Sequence, residues 1–295
     1  MKPEADLINV LGYTIYVERY INPQSDKTII MVNGALATTA SFTQSIRNLE
    51  KQINIVLFDL PFAGMSREHN KADNVLTKED EVRILLHLIE RYRVNYLMSA
   101  SWGGVSSLIS LTQRPPTIEK AIICSFSPVI NQSMLDYMCG ARRFLAEQDV
   151  PGGASLLNNT VGKYLPRLLK HHNYQYLLDM VRGNEHQIMF HIDQIFELDN
   201  LQYVERFKAI DVPVLFVNGE LDEYTTIEEV RVLADHIKQS EFVTIKGAGH
   251  FIDLESRHAW RALGRAKRAF LFGDDSCVQE HYSGGSSDLM GAIPA

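Results

Sequence analysis

Three residues far apart in the chain have the types and settings needed for nucleophilic acyl transfer. Ser101 lies in Ser99-Ala100-Ser101-Trp102-Gly103-Gly104, between a strand-like run and a helix-like one. A serine on so sharp a turn lifts its hydroxyl above a sheet edge, and the strained turn demands small neighbours. The common form is G-x-S-x-G; here Ser99 replaces the first glycine and Gly103 supplies the second. A serine hydroxyl needs a base to become a nucleophile. Of the ten histidines, His250 stands apart, because Gly247-Ala248-Gly249 lets the chain turn back over the sheet after the last strand-like run. A third group must hold the imidazole in one tautomer. Asp222 follows the run Val214–Val217 closely enough to do so, ahead of its neighbours Glu220 and Glu223 and of Asp253. The chain order serine, aspartate, histidine is the order used when a nucleophile sits on such a strand-to-helix turn.

An acyl-transfer intermediate also needs two donors for its oxyanion. The Trp102 N–H, next after the nucleophile, is one candidate. The second falls in Asn33-Gly34-Ala35-Leu36, with Ala35 first and Leu36 next. The same residues also suit an ordinary Asn-Gly turn. Asp59-Leu60-Pro61-Phe62-Ala63-Gly64-Met65-Ser66 reads as a structural loop beneath the site. The histidines show no metal-ligand spacing, and no phosphate-binding or dinucleotide glycine fingerprint is present, so neither a metal nor a bound cofactor is expected.

The elements that must position these residues follow from periodicity. Short apolar runs at Thr28–Val32, Ile53–Phe58, Tyr96–Ala100, Ala121–Cys124, Val214–Val217 and Phe242–Ile245 read as buried strands, and Leu7–Val10 with Tyr13–Arg19 as a strand pair at the start. Helical patterns lie between them at Ser41–Leu49, Lys78–Tyr92, Ser106–Thr112 and Thr226–His236. Thr77 with Asp80 is a helix-start signal. The alternation predicts an α/β fold, with a mostly parallel central sheet covered by helices on both faces. Ser133 to Phe207 lacks strand-like runs and reads as helices broken at Pro151-Gly152-Gly153, Pro166 and Gly183. The expected organisation is a core over 1–132, an inserted helical cap over 133–207, the rest of the core over 208–273 and a loose tail over 274–295.

The 295 residues, 45% hydrophobic and 22% charged, suit one large globular domain, and the net charge of −7 argues against a nucleic-acid partner. Three scattered cysteines read as reduced thiols, with Cys124 a small apolar filler. No signal-peptide pattern and no apolar stretch of the ~20 residues needed to span a bilayer is present, so a cytoplasmic protein is expected, with peripheral membrane contact left open. Oligomeric state is not legible. Lys163, Arg167 and Lys170 lie in a stretch, 163–172, free of acidic residues; it is either a solvated helix face or a docking patch for an acidic partner.

Together these stretches resemble the α/β-hydrolase superfamily. Asn33–Phe42, Phe58–Gly64, Ser99–Gly104, Val161–Pro166, Asp222–Thr226 and Gly249–Glu255 narrow the resemblance, over about residues 5 to 272. They are similar to the bacterial 3-(3-hydroxyalkanoyloxy)alkanoate synthases, which make the lipid part of rhamnolipid surfactants, and to the (R)-3-hydroxyacyl-ACP:CoA transacylases of polyester synthesis. Asp59–Gly64 and Ser99–Ser101 look closer to the synthases and place them ahead. Ser125–Asn131 and the strand at Pro213 look closer to the transacylases. The resemblance implies a serine acyl-enzyme and an acyl carrier protein as partner, its phosphopantetheine thioester carrying the substrate. It also implies an acidic partner for the basic stretch. Thioester hydrolysis, plain ester hydrolysis and a silent ligand-binding protein of the same fold are the competing expectations.

Overall fold

A computed structural model describes residues 2–71, 75–198 and 201–273. The predicted tail lies outside the described residues.

Eight strands form one sheet: β1 (Glu4–Val10), β2 (Tyr13–Tyr20), β3 (Thr28–Val32), β4 (Asn54–Phe58), β5 (Tyr96–Ala100), β6 (Lys120–Cys124), β7 (Val214–Gly219) and β8 (Ser240–Ile245). Their spatial order is β1-β2-β4-β3-β5-β6-β7-β8. The β1–β2 and β2–β4 pairs are antiparallel; all pairs from β4 across to β8 are parallel. The chain runs outward from β3 to β4, then returns to the other side of β3 as β5. The carboxyl ends of β3 and β5 therefore flank a topological switch point, where open α/β sheets leave a crevice.

The central strands are apolar on both faces because both faces are covered. Ile30 and Val32 of β3 join Val56, Leu108 and Phe216 in one core, while Ile29 and Met31 join Ile55, Met98 and Leu215 in the other. The first core is closed by α2 (Lys78–Arg91) and α3 (Gly103–Thr112), the second by α1 (Thr43–Leu49) and the last helix, α9 (Arg257–Phe272). Thr77 and Asp80 form a reciprocal capping box at the start of α2. The helix predicted from Ser106 starts three residues earlier, at Gly103, immediately beyond the nucleophile turn. The pattern over Thr226–His236 divides into a short α8 (Ile227–Val230) and a 3-10 turn.

Between β6 and β7 lie α4 (Gln132–Ala146), α5 (Val150–Asn159), α6 (Arg167–Val181) and α7 (Glu185–Leu198), followed by a 3-10 segment, Leu201–Ala209. Their own small core contains Met138, Met180, Val181, Ile188 and Ile192, and Leu36 packs against it from below. The break expected at Pro151-Gly152-Gly153 is instead a helix start. Asp149 caps the Gly152 N–H, and Pro151 sits in the first turn, where its missing N–H costs nothing. The interruption falls just before it, at Gln148, whose φ is 57°. Pro166 precedes α6, and Gly183, with φ of 76°, separates α6 from α7.

Candidate active site

Ser101 follows β5 with φ of 51°, a left-handed value that costs a non-glycine residue about 1–3 kcal/mol and so needs firm support. The support is close packing. A Cβ on Gly103 would lie 2.4 Å from the Asn33 carbonyl oxygen, and one on Gly104 2.7 Å from the Phe126 ring. Only glycine lets α3 start this close to the end of β3. Ser99, which stands where this motif commonly has glycine, is fully buried at 0% exposure.

The three residues singled out in the sequence lie in one hydrogen-bonded line. His250 Nε2 is 3.0 Å from Ser101 Oγ, and His250 Nδ1 is 2.8 Å from Asp222 Oδ2. Asp222 follows β7, and its oxygens are taken up fully. Oδ1 accepts from the N–H groups of Tyr224 and Thr225 at 2.9 and 3.2 Å, and Oδ2 accepts from Thr225 Oγ1 at 2.6 Å as well as facing His250. Burial alone would raise the Asp222 carboxyl; the His250 charge and these hydrogen bonds outweigh it and hold the group below the usual carboxylate range. Burial disfavours the imidazolium of His250, but the attraction and hydrogen bond of Asp222 more than offset it, so His250 titrates above its ordinary value of 6.5. The competing carboxylates are occupied elsewhere. Glu220 accepts from the Gly247 N–H, Glu223 pairs with Lys163, and Asp253 accepts from Ser45 Oγ.

The chemistry open to this line is proton removal from Ser101 Oγ by a neutral imidazole whose other nitrogen donates to a buried carboxylate. Beside it, the Asn33–Leu36 loop lies against the nucleophile turn: a Cβ on Gly34 would be 3.2 Å from Ser101 Cβ. Trp102 stands at the N-terminus of α3, and Ala35 and Leu36 line the same cleft as the Trp102 ring. Helix N-termini favour negative charge.

Three contributions escaped the sequence reading. Glu255 accepts from the N–H groups of Gly249 at 2.5 Å and Phe251 at 2.9 Å, fixing the loop that carries His250. Thr225, three residues beyond Asp222, fits a known side-chain turn pattern and was the most findable. The third is a buried cluster behind Trp102: Lys78 Nζ lies 2.6 Å from Glu81 Oε2 and 3.9 Å from the Trp102 ring centre, and Ser106 Oγ donates to Glu81 Oε2 at 2.6 Å. Asp59 stays structural in its contacts, accepting from the Thr39 and Met65 N–H groups; burial pushes its carboxyl up to about 6. Cys124 is buried at the end of β6, and desolvation pushes its thiol up to about 12.

The basic stretch is only partly free. Lys163 Nζ pairs with Glu223 Oε1 at 2.8 Å, and Lys170 Nζ donates to the Lys163 carbonyl at 2.8 Å. Arg167 and Leu168, at the start of α6, are exposed. Among the described residues, no helix is long and apolar enough to cross a membrane.

A strand-to-helix serine at a switch point, with an aspartate after β7 and a histidine after β8, defines the α/β-hydrolase class, and the chain belongs to that family: its alpha/beta hydrolase fold pattern matches residues 27–256. More narrowly, the chain is 46% identical over 272 residues to the (R)-3-hydroxydecanoyl-ACP:CoA transacylase of Pseudomonas aeruginosa, covering 92% of this chain and 91% of that protein. It is 44% identical to the protein of the same name from Pseudomonas putida, covering 92% of each. Among solved structures, a putative lipase from Acinetobacter baumannii superposes with a TM-score of 0.74 at 15% identity, covering 91% of both chains. MenH from S. aureus superposes with 0.70 at 20% identity, covering 86% of this chain and 97% of that one.

Proposed function

We propose that this protein is a serine acyltransferase that takes a 3-hydroxyacyl group from an acyl-carrier-protein thioester and passes it to coenzyme A. The observation that carries the reading is the hydrogen-bonded line from Asp222 through His250 to Ser101. The substrate class rests on the relatives named above.

In the first half-reaction His250 Nε2 takes the Ser101 proton while Oγ attacks the thioester carbonyl. The tetrahedral oxyanion is received by the Trp102 N–H and by Ala35, with Leu36 the neighbouring donor. Collapse breaks the carbon–sulfur bond, and His250 gives its proton to the departing sulfur, so the pantetheine thiol leaves and the imidazole is neutral again. In the second half, His250 takes the proton of the acceptor thiol, the thiolate attacks the acyl-enzyme, and the proton returns to Ser101. No resident cofactor or metal takes part. Water must be excluded, or free hydroxy acid results; helices α4 to α7, with their apolar core above Leu36, supply that cover. The acidic carrier protein docks on the Lys163–Lys170 side of the cap, where Arg167 offers an exposed cation.

The sequence resemblance placed the alkanoate synthases ahead, in which a second hydroxyacyl group is the acceptor. The transacylase relatives, at 46% and 44% identity, favour coenzyme A instead. The test is incubation with 3-hydroxyacyl carrier protein and coenzyme A, with mass analysis of products. Acyl-CoA is expected. A dimeric hydroxyacyl ester indicates the synthase, free acid a thioesterase, and failure of a serine-directed covalent probe to label Ser101 indicates a ligand-binding protein without catalysis.

A further inference from the structure

The cleft beside the nucleophile turn is bounded by the Gly34–Ala37 loop, by the Trp102 ring and by α7 of the cap. Its walls are largely apolar, with Leu36, Phe62, Met180 and Ile188 among them, but α7 brings Gln187 and His191 into the same lining. Polar groups in such a pocket set orientation and specificity.

Gln187 is fully committed. Its Oε1 accepts from the Leu76 N–H at 2.7 Å, one Nε2 hydrogen goes to the Leu76 carbonyl at 3.0 Å, and the other meets His191 Nε2 at 2.8 Å. An amide nitrogen only donates, so His191 Nε2 is the acceptor and the ring proton sits on Nδ1. Lys78 pairs with the other oxygen of Glu81, Oε2, and Oε1, 3.5 Å from His191 Nε2, has no hydrogen-bond partner among the described residues. Burial holds His191 below the ordinary imidazole value, Glu81 opposing and Lys78 adding to the effect, so the ring is neutral near pH 7. A hydrogen bond between the ring and the Leu76 backbone opposes the effect of burial without offsetting it. The Trp102 ring centre is 6.4 Å from that of His191, and the buried Trp102 Nε1 has no hydrogen-bond partner among the described residues. His191 Nδ1–H and Trp102 Nε1–H are donors on two side chains that line this cleft together with the Gly34–Ala37 loop.

We infer that His191, oriented by Gln187, receives the hydroxyl on the third carbon of the acyl group, with Trp102 as its neighbour, and so selects hydroxyacyl over plain acyl substrates. This rests on the acyl-transfer reading of Ser101. The third carbon is two bonds from the carbonyl, so a carbonyl held at Trp102 and Ala35 carries its hydroxyl into this cleft. A site built to hydrogen-bond a hydroxyl discriminates strongly against the analogue lacking it.

The test compares 3-hydroxydecanoyl and decanoyl pantetheine thioesters, following acylation of Ser101 by mass spectrometry. Wild type is expected to prefer the hydroxyacyl donor. His191→Phe should lower kcat/KM for that donor at least about tenfold and leave the decanoyl donor within about threefold. His191→Gln, which keeps a donor, should recover part of the preference, and Gln187→Leu should lose part. Equal loss on both donors in His191→Phe and His191→Gln would make the residue structural and overturn the inference, as would a wild type that acylates with no preference. Wild-type Ser101 acylated by neither donor overturns the acyl-transfer reading and this one with it.

Discussion

At the scale of single residues, the site depends on one imidazole held between a hydroxyl and a carboxylate. Asp222→Asn can keep the contact at His250 Nδ1 only by reversing its polarity, which leaves the wrong ring nitrogen facing Ser101. Acyl-enzyme formation should fall about 10⁴-fold in rapid-mixing kinetics, with little change in the fold. The pH dependence has a definite sign. Because Asp222 holds His250 above 6.5, the neutral base appears, and the acylation rate climbs, only as pH passes through that raised value. The stability that the charged His250 contributes runs the other way: it is fully present below the unfolded value and is lost over the same window. In Asp222→Asn the rate limb should move to lower pH, and an unmoved limb would mean that another group governs it.

At the scale of elements, the nucleophile turn depends on backbones approaching more closely than any side chain allows. The start of α3 abuts the end of β3, so Gly103→Ala would drive a methyl group into the carbonyls of Asn33 and Val32. Backbone cannot step aside as a flexible side chain would. The substitution should cost about 1–3 kcal/mol in urea denaturation and displace Ser101 from His250, lowering probe labelling of the serine. Ser99, in a position commonly occupied by glycine, carries a hydroxyl that is fully buried at the end of β5. That hydroxyl has no hydrogen-bond partner among the described residues, so Ser99→Ala should leave stability unchanged or raise it slightly.

At the scale of the whole molecule, the helices between β6 and β7 stand over the carboxyl edge of the sheet and connect to it by charge as well as packing. Lys163, ahead of α6, reaches Glu223 beside Asp222, and Tyr164 packs over Gly249 next to His250. Substituting Lys163 would therefore disturb the site directly, which makes Arg167 the cleaner probe of carrier docking. Arg167→Glu should raise the KM for carrier-protein thioester about three- to tenfold and leave that for the corresponding pantetheine thioester unchanged. Added salt should act in the same selective way on wild type, since long-range attraction between exposed charges is screened within about 10 Å at 0.1 M. Equal effects on both substrates would remove the docking role from this face.

Local signals went far here. Dense apolar runs bounded by turn residues marked β3 to β7 to within a few residues, because a strand covered on both faces must be apolar along its whole length. Ser101, Asp222 and His250 were legible for a related reason, since each sits at a fixed place after a recognisable strand. The Thr77 and Asp80 capping box was equally readable, as its partners are three residues apart. Pro151 was misread because proline ends a helix from within and begins one from its first turn, and only the Asp149 cap separates the two cases. The support given by Glu255, and the meeting of Lys78, Glu81, Trp102, Gln187 and His191, required the tertiary structure. Those groups come from α2, the nucleophile turn and α7, and no sequence period relates them. Gln187 and His191 meet Glu81 and Trp102 only where the helices between β6 and β7 pack over α2 and the nucleophile turn, so the sequence alone named the aligned serine, histidine and aspartate, and packing decided which other groups stand beside them.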